Sequence, residues 1–200
     1  MIDGVIKYSI EHQNQDIPLF SGYDQLETLR TRLFTLGLIG EKDGIGYGNL
    51  SMKDDNSKSF FITATQTGRK QMLSREYYTY ISDYDFSNFK VISQGIHKPS
   101  SEALSHAMIY AIDDRITTVI HIHSLALWKF MINKNYLSTT AEYGTVKMVE
   151  EIAGLYTNLA PMINNAFVMK GHEEGIITFG QNIEEAEMAL YAVMQAYLIE

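Results

Sequence analysis

Residues 116–123, ITTVIHIH, give the clearest strand signal in the chain, and they set two histidines two positions apart. A strand repeats every two residues, so His121 and His123 project from one face while Ile120 and Ile122 project from the other. Same-face neighbours lie roughly 6.5–7 Å apart at Cα, which lets two imidazoles converge on one ion. The residues alone leave it open whether the two rings bind an ion or merely share a half-exposed strand face.

A third ligand is needed for a metal centre of the usual catalytic kind, with three protein ligands and one open position. The chain has no cysteine, so any ion is held by histidine and carboxylate, and the fold does without disulfides. The remaining histidines are His12, His97, His106 and His172. His172 lies in KGHEEG, between two β-prone segments at 166–169 and 175–179 that read as a hairpin. The residues alone leave it open whether His172 is a ligand or an exposed turn histidine.

The rest of the pattern is mixed. Residues 4–10 read as a short strand and the polar segment after it as a loop. Leu26, Leu29, Leu33 and Leu36 recur at helical spacing within 22–38, where Asp24 is a candidate cap. Leu50–Met52 and Ser59–Thr65 read as strands joined by a polar turn, and 77–82 and 88–93 are β-prone. Helices are expected over about 101–112, 144–156 and 183–198. Trp128 and Phe130 are assigned to core packing. The expected fold class is α/β: one domain over 1–200, with 1–20 an N-terminal extension and a central, mostly antiparallel sheet flanked by helices in three layers.

The net charge of −8 and pI near 5.2 disfavour nucleic acid and anionic membrane surfaces as partners. No window of about 18 apolar residues is present, and the N-terminus lacks a basic start followed by an apolar stretch. A soluble cytoplasmic protein with a small-molecule substrate is the expectation.

Several polar positions can carry chemistry. Pro99-Ser100-Ser101-Glu102 opens a helix, where serine caps and an acid complements the dipole. Glu102 is also a candidate acid/base, with His106 four residues on along the same helical face. Gly48-Asn49-Leu50-Ser51, Thr65-Gln66-Thr67-Gly68 and Ser100-Ser101 are small-residue turns of the type that cradles an anion with backbone N–H groups and hydroxyls.

Taken in order, G-N-L-S at 48–51, T-Q-T-G at 65–68, S-S-E at 100–102 with His106 and Tyr110, H-I-H at 121–123, Y-G-T at 143–145 and a last histidine before an apolar strand and final helix resemble the class II aldolase/adducin family, over roughly residues 22–198. The resemblance implies that His121, His123 and His172 bind Zn2+ or another divalent metal. It implies that Glu102 is the catalytic acid/base, and that Gly48, Asn49, Thr67, Gly68, Ser100 and Ser101 bind the substrate phosphate. It implies a homotetramer with active sites at subunit interfaces. The implied reaction is aldolase-type cleavage of a C–C bond in a small hydroxy-carbonyl, sugar-phosphate-like compound, through a metal-stabilised enediolate. A dehydratase or epimerase on the same scaffold, or a non-catalytic adducin-like interaction domain, are the alternatives. Glu173 and Glu174 depart from the family turn, which has glycine directly after the histidine, and the family's inter-subunit tyrosine has no counterpart to point to here.

Overall fold

The computed structural model describes residues 5–54, 58–157 and 165–200. A nine-stranded sheet runs in the order β1-β7-β6-β5-β4-β8-β11-β10-β9. Its strands are β1 (Ser9–Gln13), β4 (Asn49–Lys53), β5 (Phe60–Thr63), β6 (Tyr78–Asp85), β7 (Lys90–Gln94), β8 (Thr118–His123), β9 (Ser138–Thr139), β10 (Ala166–Met169) and β11 (Gly175–Gly180). Only the two edge pairings, β1 with β7 and β9 with β10, are parallel. The other neighbours are antiparallel, as the sequence pattern predicts.

Two apolar layers cover the sheet. On one face, helix α2 (Ala103–Ile112) and helix α4 (Val146–Thr157) bury Leu104, Ala107, Met148 and Ile152 against Val119, Ile177 and Phe60. On the other, α1 (Tyr23–Thr35), α3 (Leu125–Asn133) and α5 (Ile183–Leu198) bury Leu29, Leu33, Leu127 and Leu190 against Leu50, Ile120, Ile122 and Ile176. The alternation along β8 therefore works as its period demands. The isoleucines face one helical layer and the histidines face the other, beside α2.

The elements differ from expectation in a few places. Of the strand expected over 4–10, residue 4 lies outside the described residues; among the described residues the first strand is Ser9–Gln13, and residues read as a loop and an extension form a sheet edge. An edge strand has one paired side and needs little apolar character, so hydrophobic alternation does not mark it. Asp24 does not cap α1. Gly22 occupies that position, and Asp24 sits in the first turn, where its charge complements the dipole. Helix α3 is additional to the expected set. Its run of apolar residues shows no polar stripe, but Ser124 caps it by accepting from the Leu127 amide at 3.4 Å. Phe130 is buried, and the half-buried Trp128 donates its indole N–H to the Met169 carbonyl at 2.9 Å, so both belong to the packed layer. The polar turn expected between β4 and β5 includes 55–57, which lie outside the described residues.

The glycine-dense segment folds as a separate hairpin, β2 (Gly40–Lys42) and β3 (Ile45–Tyr47). Asp43 and Gly44 both have positive φ, at 54° and 81°, as a tight two-residue hairpin turn requires.

Candidate metal centre and substrate pocket

Strand β8 pairs with β4 on one side and β11 on the other, and the registers decide the site. Asn49 lies opposite His121, and Gly175 lies opposite His123. The turn between β10 and β11 is thereby folded back over the end of β8, bringing His172 onto the paired histidines. Nε2 of His123 lies 3.1 Å from Nε2 of His121 and 3.0 Å from Nε2 of His172. Around a tetrahedral ion with Zn–N bonds of about 2.0–2.1 Å, ligand nitrogens are separated by about 3.4 Å, so the observed spacing is close to that of a metal shell. Among the described residues, these three form a buried group able to hold one ion.

The chemistry of the rings suits the same end. Burial, with the neighbouring imidazoles adding to it, holds His121 well below its ordinary pKa. Burial and His172 push His123 down to about 3. Both rings are therefore neutral at physiological pH, leaving nitrogen lone pairs for a cation. Nδ1 of His121 lies 3.1 Å from the Ile176 carbonyl and, as donor, directs the Nε2 lone pair toward the cluster. Gly175 has no room for a side chain: a Cβ there would sit 2.6 Å from the His172 ring and 3.2 Å from the His121 ring.

Glu102 stands at the start of α2, buried beside the cluster. Its Oε2 lies 3.0 Å from Nε2 of His121 and accepts from the Asn49 amide at 2.8 Å. The expected serine capping of α2 takes a different form. Glu102 occupies the cap position without a side-chain cap bond, and Ser100 Oγ accepts from the Glu102 amide at 3.3 Å. His106 does not hold Glu102. Its Nδ1 pairs with Ser51 Oγ at 2.7 Å, and Ser51 in turn meets the Tyr110 hydroxyl at 2.6 Å, tying α2 to β4 directly behind the site.

Gly48, Asn49, Thr67, Gly68, Ser100, Ser101, Glu102, His121, His123 and His172 all line one tight pocket. It opens beside a larger cavity of about 440 Å³ bounded by Lys42, Tyr47, Tyr143, Lys170 and Glu174 along with His123 and His172. Sequence reasoning did not single out Lys42, Tyr47, Tyr143 or Lys170 as site residues. Tyr47 stacks on His123 with ring centroids 5.1 Å apart, and Tyr143 packs on His172 at 4.9 Å. The signal for Tyr47 was its place between Gly46 and Gly48, where a large ring stands on a backbone of small residues. Tyr143 was visible only as part of Y-G-T.

Residues 40–199 match the class II aldolase and adducin N-terminal domain. The chain belongs to this family. Among relatives of the class II aldolase/adducin domain, an L-fuculose phosphate aldolase from Methanococcus maripaludis is 30% identical over 150 residues, covering 70% of this chain and 76% of the relative. The fold is shared with a solved L-fuculose 1-phosphate aldolase at a TM-score of 0.68 and 20% identity, covering 92% of this chain and 86% of the other. A sugar-phosphate aldolase from Thermotoga maritima aligns at a TM-score of 0.65 and 17% identity, over 86% of this chain and 90% of that one. No helix among the described residues is long and apolar enough to cross a membrane.

Proposed function

We infer that the chain is a zinc-dependent class II aldolase that cleaves a C–C bond in a small hydroxy-carbonyl substrate bearing a phosphate. The observation that carries this reading is the meeting of three buried imidazoles with a carboxylate 3.0 Å from one of them. A three-nitrogen set with room beside it suits zinc.

His121, His123 and His172 hold the ion, which supplies a Lewis acid for the substrate carbonyl. The remaining work falls to the chain's own groups. Glu102 exchanges the proton at the carbon next to that carbonyl, from a position set by the Asn49 amide. Asn49 Oδ1 is buried with no partner among the described residues, so it is available to accept from a substrate hydroxyl. Gly48, Thr67, Gly68, Ser100 and Ser101 receive the phosphate in the tight pocket at the N-terminal end of α2, where backbone dipoles favour an anion. The larger cavity takes the half of the substrate that leaves as aldehyde.

The intact histidine group favours an enzyme over an adducin-like scaffold, which has no use for three buried imidazoles in contact. A homotetramer with active sites at subunit junctions and a cytoplasmic location complete the reading, on the strength of the family resemblance and the absence of a membrane-spanning helix among the described residues.

The test joins metal analysis of the purified protein to a screen of small ketose phosphates and their unphosphorylated analogues. Stoichiometric zinc and cleavage of a phosphorylated ketose are expected, with His121→Ala losing both. Absence of bound metal, together with unchanged stability of His121→Ala, would leave the scaffold reading in its place.

A further inference from the structure

The turn that carries His172 ends on a glutamate in an uncommon backbone state. Glu174 has a φ of 71°, a left-handed conformation that glycine adopts freely and that a residue with a Cβ adopts at a cost. Its side chain is only 17% exposed, and its two oxygens are divided between two partners. Oε1 accepts from Nζ of Lys42, on the β2–β3 hairpin, at 2.7 Å. Oε2 lies 3.9 Å from Nδ1 of His123. Nε2 of that ring already faces His121 and His172, so Nδ1 is its outer nitrogen. Among the described residues, no other carboxylate comes within 4.0 Å of His123. Tyr47 stacked on the ring limits its rotation. Backbone strain persists at functional sites when the surroundings over-determine it, and here both a lysine and a ligand ring hold the residue.

We propose that Glu174 is a positioning residue for His123. Its carboxylate accepts the Nδ1 proton and so fixes the tautomer that turns the Nε2 lone pair toward the ion, while Lys42 holds the other oxygen in place. A shift of about 1 Å closes the 3.9 Å gap to a hydrogen bond. The two strand histidines are then oriented by different means. His121 uses the Ile176 carbonyl supplied by the sheet ladder. His123, at the strand end, has no such carbonyl among the described residues and uses a side chain from the turn. Carboxylate partners of this kind are commonly worth 10–100-fold in metal affinity.

This inference rests on the metal reading above, and the experiment separates the two. The full-length protein is stripped of metal, and its affinity for zinc alone is measured by competition with a chromophoric chelator. Melting of the metal-free form is followed in parallel. Glu174→Gly is expected to bind zinc at least about 10-fold more weakly. Its metal-free form should melt no lower than wild type, because glycine relaxes the φ. Glu174→Gln is expected to fall between the two, since its amide carbonyl accepts the same hydrogen bond without the charge. Zinc affinity of Glu174→Gly within twofold of wild type overturns the proposal, as does a weakening matched by a fall in melting temperature. Wild-type protein that binds no zinc overturns the metal reading, and this inference with it.

Discussion

The side-chain amide of Asn49 donates to Oε2 of Glu102 at 2.8 Å, joining a residue on β4 to one at the head of α2. The same oxygen lies 3.0 Å from Nε2 of His121, which faces Asn49 across the β4–β8 ladder. Glu102 is thus held between a neutral donor and a ring of the three-histidine group. Glu102→Gln is expected to keep zinc at wild-type stoichiometry and lose turnover by roughly 100-fold or more. Metal content by mass spectrometry and steady-state rates check this. Undiminished turnover would remove Glu102 from proton transfer.

Gly175→Ala adds a methyl group where the rings of His172 and His121 pack. The ring of His172, as the nearer neighbour, has to move, so zinc affinity should fall by about an order of magnitude. The sheet keeps its register, because Gly175 is a strand residue without positive φ. Circular dichroism with a chelator competition measures both halves of the expectation.

Arg30 is buried and holds the far side of the pocket. It donates to the carbonyls of Thr67, Lys70 and Gln71, with the Glu27 carboxylate 3.7 Å away. Glu27 itself accepts from the Leu73 amide and the Tyr78 hydroxyl. Arg30→Met strands these acceptors and the Glu27 charge, costing about 3–5 kcal/mol in urea unfolding. The turn bearing Thr67 and Gly68 loses its anchor. KM for a phosphorylated substrate should therefore rise more than kcat falls. An equal effect on phosphorylated and unphosphorylated substrates would separate this turn from phosphate binding.

Burial pushes His106 from its usual 6.5 down to about 3. Above pH 6.5 the ring is neutral in both folded and unfolded states and contributes no pH dependence. Below 6.5 only the unfolded chain takes the proton, so stability falls with pH until about pH 3, by up to about 1.4 kcal/mol per unit. His121 and His123 shift the same way and add to the slope. Between pH 7.5 and 5, the metal-free wild type should lose about 2 kcal/mol more than His106→Asn, whose amide can keep the Ser51 contact. Matching slopes in denaturant titrations would place His106 protonation outside this balance.

Local physics made many of the residues that line the candidate site readable in advance. The period of a strand puts His121 and His123 on one face whatever surrounds them, and the leucine spacing of 22–38 and the pattern of 183–198 identify α1 and α5 without reference to partners. The small-residue turns around Gly48, Thr67 and Ser100 were visible because turn chemistry is short-range. The misses have the same root. Edge strand β1 is polar because little of it is covered, and the mostly apolar α3 lacks a polar stripe, so Ser124 is the local signal that marks its start.

Linear order left undecided which segments become neighbours. His172 is 49 residues from His123 along the chain, and nothing within KGHEEG distinguishes a ligand from an exposed turn residue. Antiparallel pairing of β11 with β8, with Gly175 opposite His123, brings it there. Placement of α2 against the β4–β8 face then sets Glu102 against Asn49 and His121. Residue types decided what the groups are able to do. Non-local strand register, set by burying both faces of the sheet at once, decided which of them meet.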